Sequence, residues 1–307
     1  MFSFIANLFG YLLNFLYEIV NNNFGIAIIL FSILLRIILL RTTIKQQKSV
    51  QKTAKIQGEL KTLQVKYKNN PEMLNKETME LYKREQISPF SGCLSAILQI
   101  IIILSVFYLV SQPLTYMKKV NKDPELNAIV ETHKNEITQN GEKTNYLEIA
   151  TISKIETKYK EITEQLKQEN LENREQLEQE KQKYEKLRIN MNFLGLDLSK
   201  VPNKNMGDYT VYIIPFLYVI SSFVSIRLTT KEQNKKFEEN AKNQDEADSM
   251  AQMRKSMSYM MPIMTVSIAF IAPLGLALYW FISNVLMIGE RVIIKKIVNA
   301  KEVEKNA

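Results

Sequence analysis

The residue of this chain best suited to chemistry is an arginine inside an otherwise apolar run. Phe24 to Leu40 reads FGIAIILFSILLRIILL, and Arg36 is its only charged residue. A charge at membrane depth costs roughly 2.5–3.5 kcal/mol on insertion scales. Guanidinium does not deprotonate in proteins, so neutralisation offers no escape. Arg36 must therefore face water or an anionic group. A helix from about Gly25 to Ile44 places it roughly 16–18 Å from the outer end, past the middle of a ~30 Å hydrocarbon core. Snorkelling from a helix end is the plainer alternative, but that depth favours a wet cavity or groove. The neighbouring apolar blocks are read as supplying no buried acid, so water reached from the cytoplasm is the expected environment. The chemistry available is electrostatic attraction of an anionic group.

Other polar side chains fall within apolar stretches: Gln99, Ser221, Ser222, Ser225, Thr265, Ser267, Tyr279, Ser283 and Asn284. Of these, Gln99, Ser222, Ser225 and Tyr279, with the aromatic Trp280, are taken as candidate lining of a substrate groove around Arg36. Ordinary interhelical hydrogen bonding or aromatic packing accounts for each one equally well. An intramembrane enzyme would need a catalytic pair, and the apolar blocks show no pair of acids, no histidine and no zinc motif. Arginine, always charged, is a poor general base. One cysteine, Cys93, excludes an internal disulfide, and one histidine, His133, disfavours a metal site. No catalytic residue, metal or cofactor is expected.

Five apolar blocks must position these groups: 24–44, 90–112, 209–228, 257–272 and 274–294. Each is about long enough to span a bilayer as a helix. The last two meet at Ala272-Pro273 and read as a tight helical hairpin. Ahead of them, residues 1–23 interleave Phe2, Phe4, Phe9, Tyr11, Phe15 and Tyr17 with Asn7, Asn14 and Glu18. A first span is one reading; a helix lying in the interface is favoured, because Asn21-Asn22-Asn23 makes a poor membrane-buried turn. No basic n-region marks a cleavable signal. The fold class is an all-α, polytopic membrane protein with five transmembrane helices.

Charge orients the chain. The first 23 residues hold no Lys or Arg, whereas 41–89 hold eleven against five acids. By the positive-inside rule the 41–89 loop is cytoplasmic and the N-terminus outside. Alternation then makes 113–208 extracellular, 229–256 cytoplasmic and the short tail 295–307 cytoplasmic. The tail's Lys295, Lys296, Lys301 and Lys305 agree. Within the loop, 45–89 is predicted to be a helical hairpin. Ile56, Leu60, Leu63 and Tyr67 form one stripe, Asn69-Asn70-Pro71 turns the chain, and Met73, Leu74, Leu81 and Tyr82 continue it. Its Lys-rich faces suit solvent, or contact with anionic lipid, ribosomal RNA or an arriving chain.

The segments GIAIILFSILLRIILLRTTIKQQKS, LKTLQVKYKNNPEMLNKETMELYK, SPFSGCLSAILQ, FLGLDLS and APLGLALYWFISN occur in that order. Together they resemble the YidC/Oxa/Alb family of membrane protein insertases. The resemblance implies a cluster of helices around a hydrophilic groove, open to cytoplasm and lipid and closed outside. Arg36 aligns with the family's groove arginine. An arriving hydrophobic segment with an acidic outer end would be drawn to it, without covalent chemistry. Implied partners are nascent membrane proteins, a ribosome held weakly through the short tail, the Sec translocon and anionic lipid. Departures from the pattern are Ser95 and Ile101 where prolines are usual, Ile226 near the usual place of a Gln, and Arg41 where a Pro is common.

The largest departure is the insertion within 113–208, whose sixteen basic and seventeen acidic residues nearly cancel. Ile152, Ile155, Tyr159, Ile162 and Leu166 give a short heptad-like stripe. Segment 147–190, free of Gly and Pro, suits a long helix. A solvated helix folding back on 114–146 is the plain reading, and a docking arm for an external partner is the alternative. The insertion is expected to add little to the stability of the helical cluster. The rival function for the whole chain is an anion channel or transporter with Arg36 as its selectivity charge, but no internal repeat of the kind such transporters show is found.

Overall fold

A computed structural model describes residues 2–86, 91–141, 146–168, 173–238 and 267–306. The chain divides into two compact units, one of residues 1–33, 101–218 and 267–283, the other of 34–100, 219–266 and 284–307.

The first unit begins with α1 (Phe2–Ile19), a helix with two distinct faces. Ala6, Gly10, Leu13 and Tyr17 are buried, while Phe4, Leu8, Tyr11, Phe15 and Ile19 are all more than half exposed. Steps of three and four residues put each set on its own side. Gly10 is required where α6 (Pro113–Tyr116) passes, because a methyl group there would overlap the Tyr116 carbonyl. Lys119 ties the two together, its Nζ donating to Asn7 O at 3.0 Å and Asn7 Oδ1 at 2.7 Å. It also lies 4.2 Å from the Tyr11 ring centroid, a cation–π contact. The turn after α1 places Asn21 and Asn22 at φ 54° and 59°, a left-handed geometry that asparagine tolerates. Asn23 then caps α2 (Phe24–Lys55), accepting from the Ile26 amide at 3.0 Å.

The insertion folds as three helices, α7 (Pro124–Gln139), α8 (Leu147–Gln165) and α9 (Arg174–Leu187), with α8 packed on both others. The fold-back of α8 onto the preceding segment is as read from sequence; one long helix over 147–190 is not. Ile152, Ile155 and Ile162 are buried on α8, and a lone solvated helix would leave that stripe wet. Leu177, Tyr184 and Leu187 of α9 cover it instead. His133 on α7 stands 2.9 Å from the Tyr184 hydroxyl on α9. Arg188 grips Glu156 with two hydrogen bonds of 2.7 and 3.0 Å. Nor is the insertion isolated from its surroundings. Glu148, 6% exposed, accepts from the Thr115 amide and hydroxyl, so α8 caps α6, whose own N-cap residue Gln112 makes no side-chain bond.

The chain returns through Asn190, whose amide donates to Tyr17 Oη at 2.9 Å. FLGLDLS forms a two-stranded ribbon, β1 (Asn192–Phe193) with β2 (Leu196–Asp197). Its turn needs positive φ at Leu194 and Gly195, 51° and 82°. The next carbonyls satisfy the start of the last helix: Leu274 N donates to Lys200 O and Gly275 N to Leu198 O, both at 2.9 Å. Asp208 accepts from the Thr210 amide at 3.1 Å and meets Lys200 at 2.8 Å. That ammonium, with the Thr210 bonds, holds the Asp208 carboxyl down at about 2.

The second unit contains α3 (Gln57–Lys66), α4 (Pro71–Arg84), the body of α10 (Ile213–Glu238) and the later part of α11 (Leu274–Asn306). The basic hairpin packs Ile56 and Leu81 together, with Leu60, Leu63 and Tyr82 around them. Asn70 caps α4 by accepting from the Met73 amide at 3.2 Å, with Pro71 in the first turn.

Among the described residues four helices are long and apolar enough to cross a membrane: Phe2–Ile19, Phe24–Gln46, Tyr209–Leu228 and Leu274–Ile293. Within α5 (Ser91–Ser111), Ile100–Ser111 is an apolar helical stretch among the described residues. Of block 257–272 only residues 267–272 lie within the described set.

Candidate functional site

Arg36 does not rely on water alone. Its Nη1 lies 3.3 Å from Oε2 of Glu290 on α11, the Arg36 side chain being 21% exposed and that of Glu290 9%. Both residues belong to the second unit. The expectation that the neighbouring apolar blocks supply no acid is therefore corrected, since Glu290 lies inside block 274–294. The physical reason is the one already used for Arg36: a cation held off water is stabilised most by an opposite charge in contact. On α2 the flanking Ile37 and Ile38 are about 60% exposed and Leu35 is buried, so the helix turns one apolar side outward and Arg36 sits between its two sides.

A polar seam runs between α10 and α11 in the same unit. Asn284 Nδ2 donates to Ser221 Oγ at 3.2 Å and Ser222 Oγ at 3.0 Å. About two helical turns further along α11, Arg291 Nη1 donates to the Ser225 carbonyl at 3.5 Å. Ser221, Ser222 and Ser225 share one face of α10, and Asn284 and Arg291, seven residues apart, share one face of α11. All three serines are buried.

The sequence candidates separate accordingly. Arg36, Ser222 and Ser225 belong to the second unit, and Tyr279 and Trp280 to the first. Tyr279 is 6% exposed. Trp280 packs on Tyr218, ring centroids 6.1 Å apart. Gln99 lies on α5, and its side chain is outside the described set. Ser222 takes part in the interhelical bonding that was its plainer reading. Glu290 and Arg291 were missed, although a charge inside an apolar block, the signal that exposed Arg36, marks both.

The arrangement sets a guanidinium against a carboxylate within apolar stretches, with part of the Arg36 side chain exposed. Such a site needs helices placed by the rest of the chain, and that framework is recognisable. Residues 15–302 match the family described as 60Kd inner membrane protein. The chain belongs to that family. Three curated relatives, each described as membrane protein insertase YidC, are similar over the better matched stretches. The relative from Fusobacterium nucleatum is 43% identical over 108 residues, 34% of this chain and 53% of the relative. That from Clostridium perfringens is 45% identical over 89 residues, 29% and 37%. That from Caldanaerobacter subterraneus is 42% identical over 103 residues, 34% and 50%. The chain spans about half the length of these relatives, or less. As a member of the 60Kd inner membrane protein family with several apolar helices, it is an all-α, multi-pass bacterial membrane protein.

Proposed function

We propose that this chain is a membrane protein insertase and chaperone, not an enzyme. It lowers the barrier for transmembrane segments by offering them a hydrophilic groove that contains Arg36. The observation that carries this reading is a guanidinium inside an apolar helix that keeps 21% of its side chain exposed. In this reading five helices span the cell membrane and α1 lies in the interface, its exposed aromatic face toward lipid. The N-terminus is outside, and the α3–α4 hairpin and the tail are cytoplasmic. Ser222, Ser225, Gln99, Tyr279 and Trp280 are proposed to line the path of the substrate. A nascent chain with an acidic outer end is drawn to Arg36, and transfer of its apolar part into lipid drives release. The membrane potential favours outward movement of negative charge by ~2.3 kcal/mol per charge per 100 mV. The ribosome, the Sec translocon and anionic lipid are the partners this role calls for, with an external partner assigned to 113–208 in the docking-arm reading.

The test is insertion of a single-span protein by the purified full chain in liposomes. Arg36→Lys is expected to retain part of the activity, and Arg36→Glu to lose it while the protein still accumulates. Normal insertion by Arg36→Glu at normal protein level overturns the groove mechanism. An anion channel would instead pass anions through the same liposomes. Glu290 beside Arg36 argues against that rival, because it offsets the charge that would select anions.

A further inference from the structure

Glu290 makes an incomplete ion pair. Arg36 and a carboxylate can join through two parallel hydrogen bonds, yet Glu290 offers only Oε2 to Nη1, at 3.3 Å. Its Oε1 is buried with no hydrogen-bond partner among the described residues. A buried carboxylate oxygen without a hydrogen bond carries a desolvation penalty. The side chain is 91% covered, from its 9% exposure. The pair thus neutralises Arg36 without being a deep energy minimum.

From this geometry we infer that Glu290 is an internal competitor for Arg36 that sets how tightly the insertase holds acidic substrates. The inference rests on the proposed groove function of Arg36. An arriving chain must displace Glu290 before it reaches the guanidinium. An acidic substrate side chain can take the place of Glu290 at the guanidinium, but only by leaving the Glu290 carboxylate without its cation, which costs binding in a site of low dielectric. A neutral polar side chain offers the guanidinium no opposite charge, so it gains little from Arg36 whether or not Glu290 is present. Glu290 therefore weakens the hold of Arg36 on acidic tails and leaves uncharged tails almost unaffected. The exchange is of non-covalent partners, and no bond is made or broken.

The test uses the full chain in liposomes with two forms of one single-span protein, differing by one Asp or Asn in the translocated tail. Glu290→Gln removes the competitor and keeps the shape. The concentration of Asp-tail substrate giving half-maximal insertion is expected to fall about tenfold, the order of one charge-assisted hydrogen bond. The Asn-tail value should stay within about twofold. Glu290→Asp keeps the charge and should lie near wild type, which covers the case in which the Gln variant fails to fold. In Arg36→Gln/Glu290→Gln the Asp-tail gain should vanish, since the guanidinium that Glu290 competes for is gone. An equal change for both tails, or none, in a folded Glu290→Gln protein overturns the inference and assigns Glu290 a structural role. Failure of the wild-type chain to insert either tail defeats the insertase reading itself.

Discussion

Asn284 donates to two serine hydroxyls across the α10–α11 seam, and bonds of this kind contribute about 0.6 kcal/mol each within membranes. Asn284→Leu is accordingly expected to lower stability by about 1 kcal/mol, read as the midpoint of thermal unfolding in detergent. An unchanged midpoint would mean that the seam contributes nothing to holding the two helices. The same residue shows how legibility varied at this scale. Asn284 and Arg36 stood out because each is a polar group in an apolar neighbourhood. Glu290 did not, although it answers the same description, because it adjoins Arg291 and the lysines that follow, where a window average reads only the end of a block. The partner of a buried charge is a three-dimensional fact: these two lie 254 positions apart, and spacing says nothing about them.

Among the elements, the apolar blocks marked where helices are but not where they stop. Hydropathy placed α2 to residue 44, and the helix runs on to Lys55; it placed the last span to 294, and α11 continues to Asn306. Lys, Gln and Glu carry a helix onward once it has been nucleated in the apolar part. The break between α8 and α9 was illegible for the converse reason. No Gly or Pro announces it, and it exists because folding back buries the isoleucine stripe. The close approach of α1 to α6 depends on Gly10, so Gly10→Ala should force the two apart and lower the unfolding midpoint. Faster amide hydrogen exchange along α1 would accompany it. Gly207→Ala, with open space beyond its Cβ, is the control and should change neither. Protection of α1 unchanged in the Gly10 variant would contradict the tight crossing.

For the molecule as a whole, the question is what the insertion does for the helices beside it. Near-cancelling charge suggested a peripheral layer, yet its Glu148 caps α6 and its end leads into Asn190 beneath Tyr17. Replacing residues 121–188 by a flexible Gly/Ser linker should therefore preserve insertion into liposomes but lower the unfolding midpoint. Loss of a cap of about 1–2 kcal/mol corresponds to roughly 2–8 °C. Failure to complement an insertase-depleted strain, with insertion into liposomes and the midpoint unchanged, would instead point to an external partner for this layer. The bond between Tyr17 and Asn190 also sets a timetable for biogenesis. The two residues are 173 positions apart, and at about 5–20 residues per second the ribosome makes the second about 10–35 s after the first. For the later part of that interval α1 already has its partners at Tyr116 and Lys119, but the bond from Asn190 has yet to form. The helix at the front of the chain is thus fastened in two stages, first against Tyr116 and Lys119 and only later, at its far end, by Asn190.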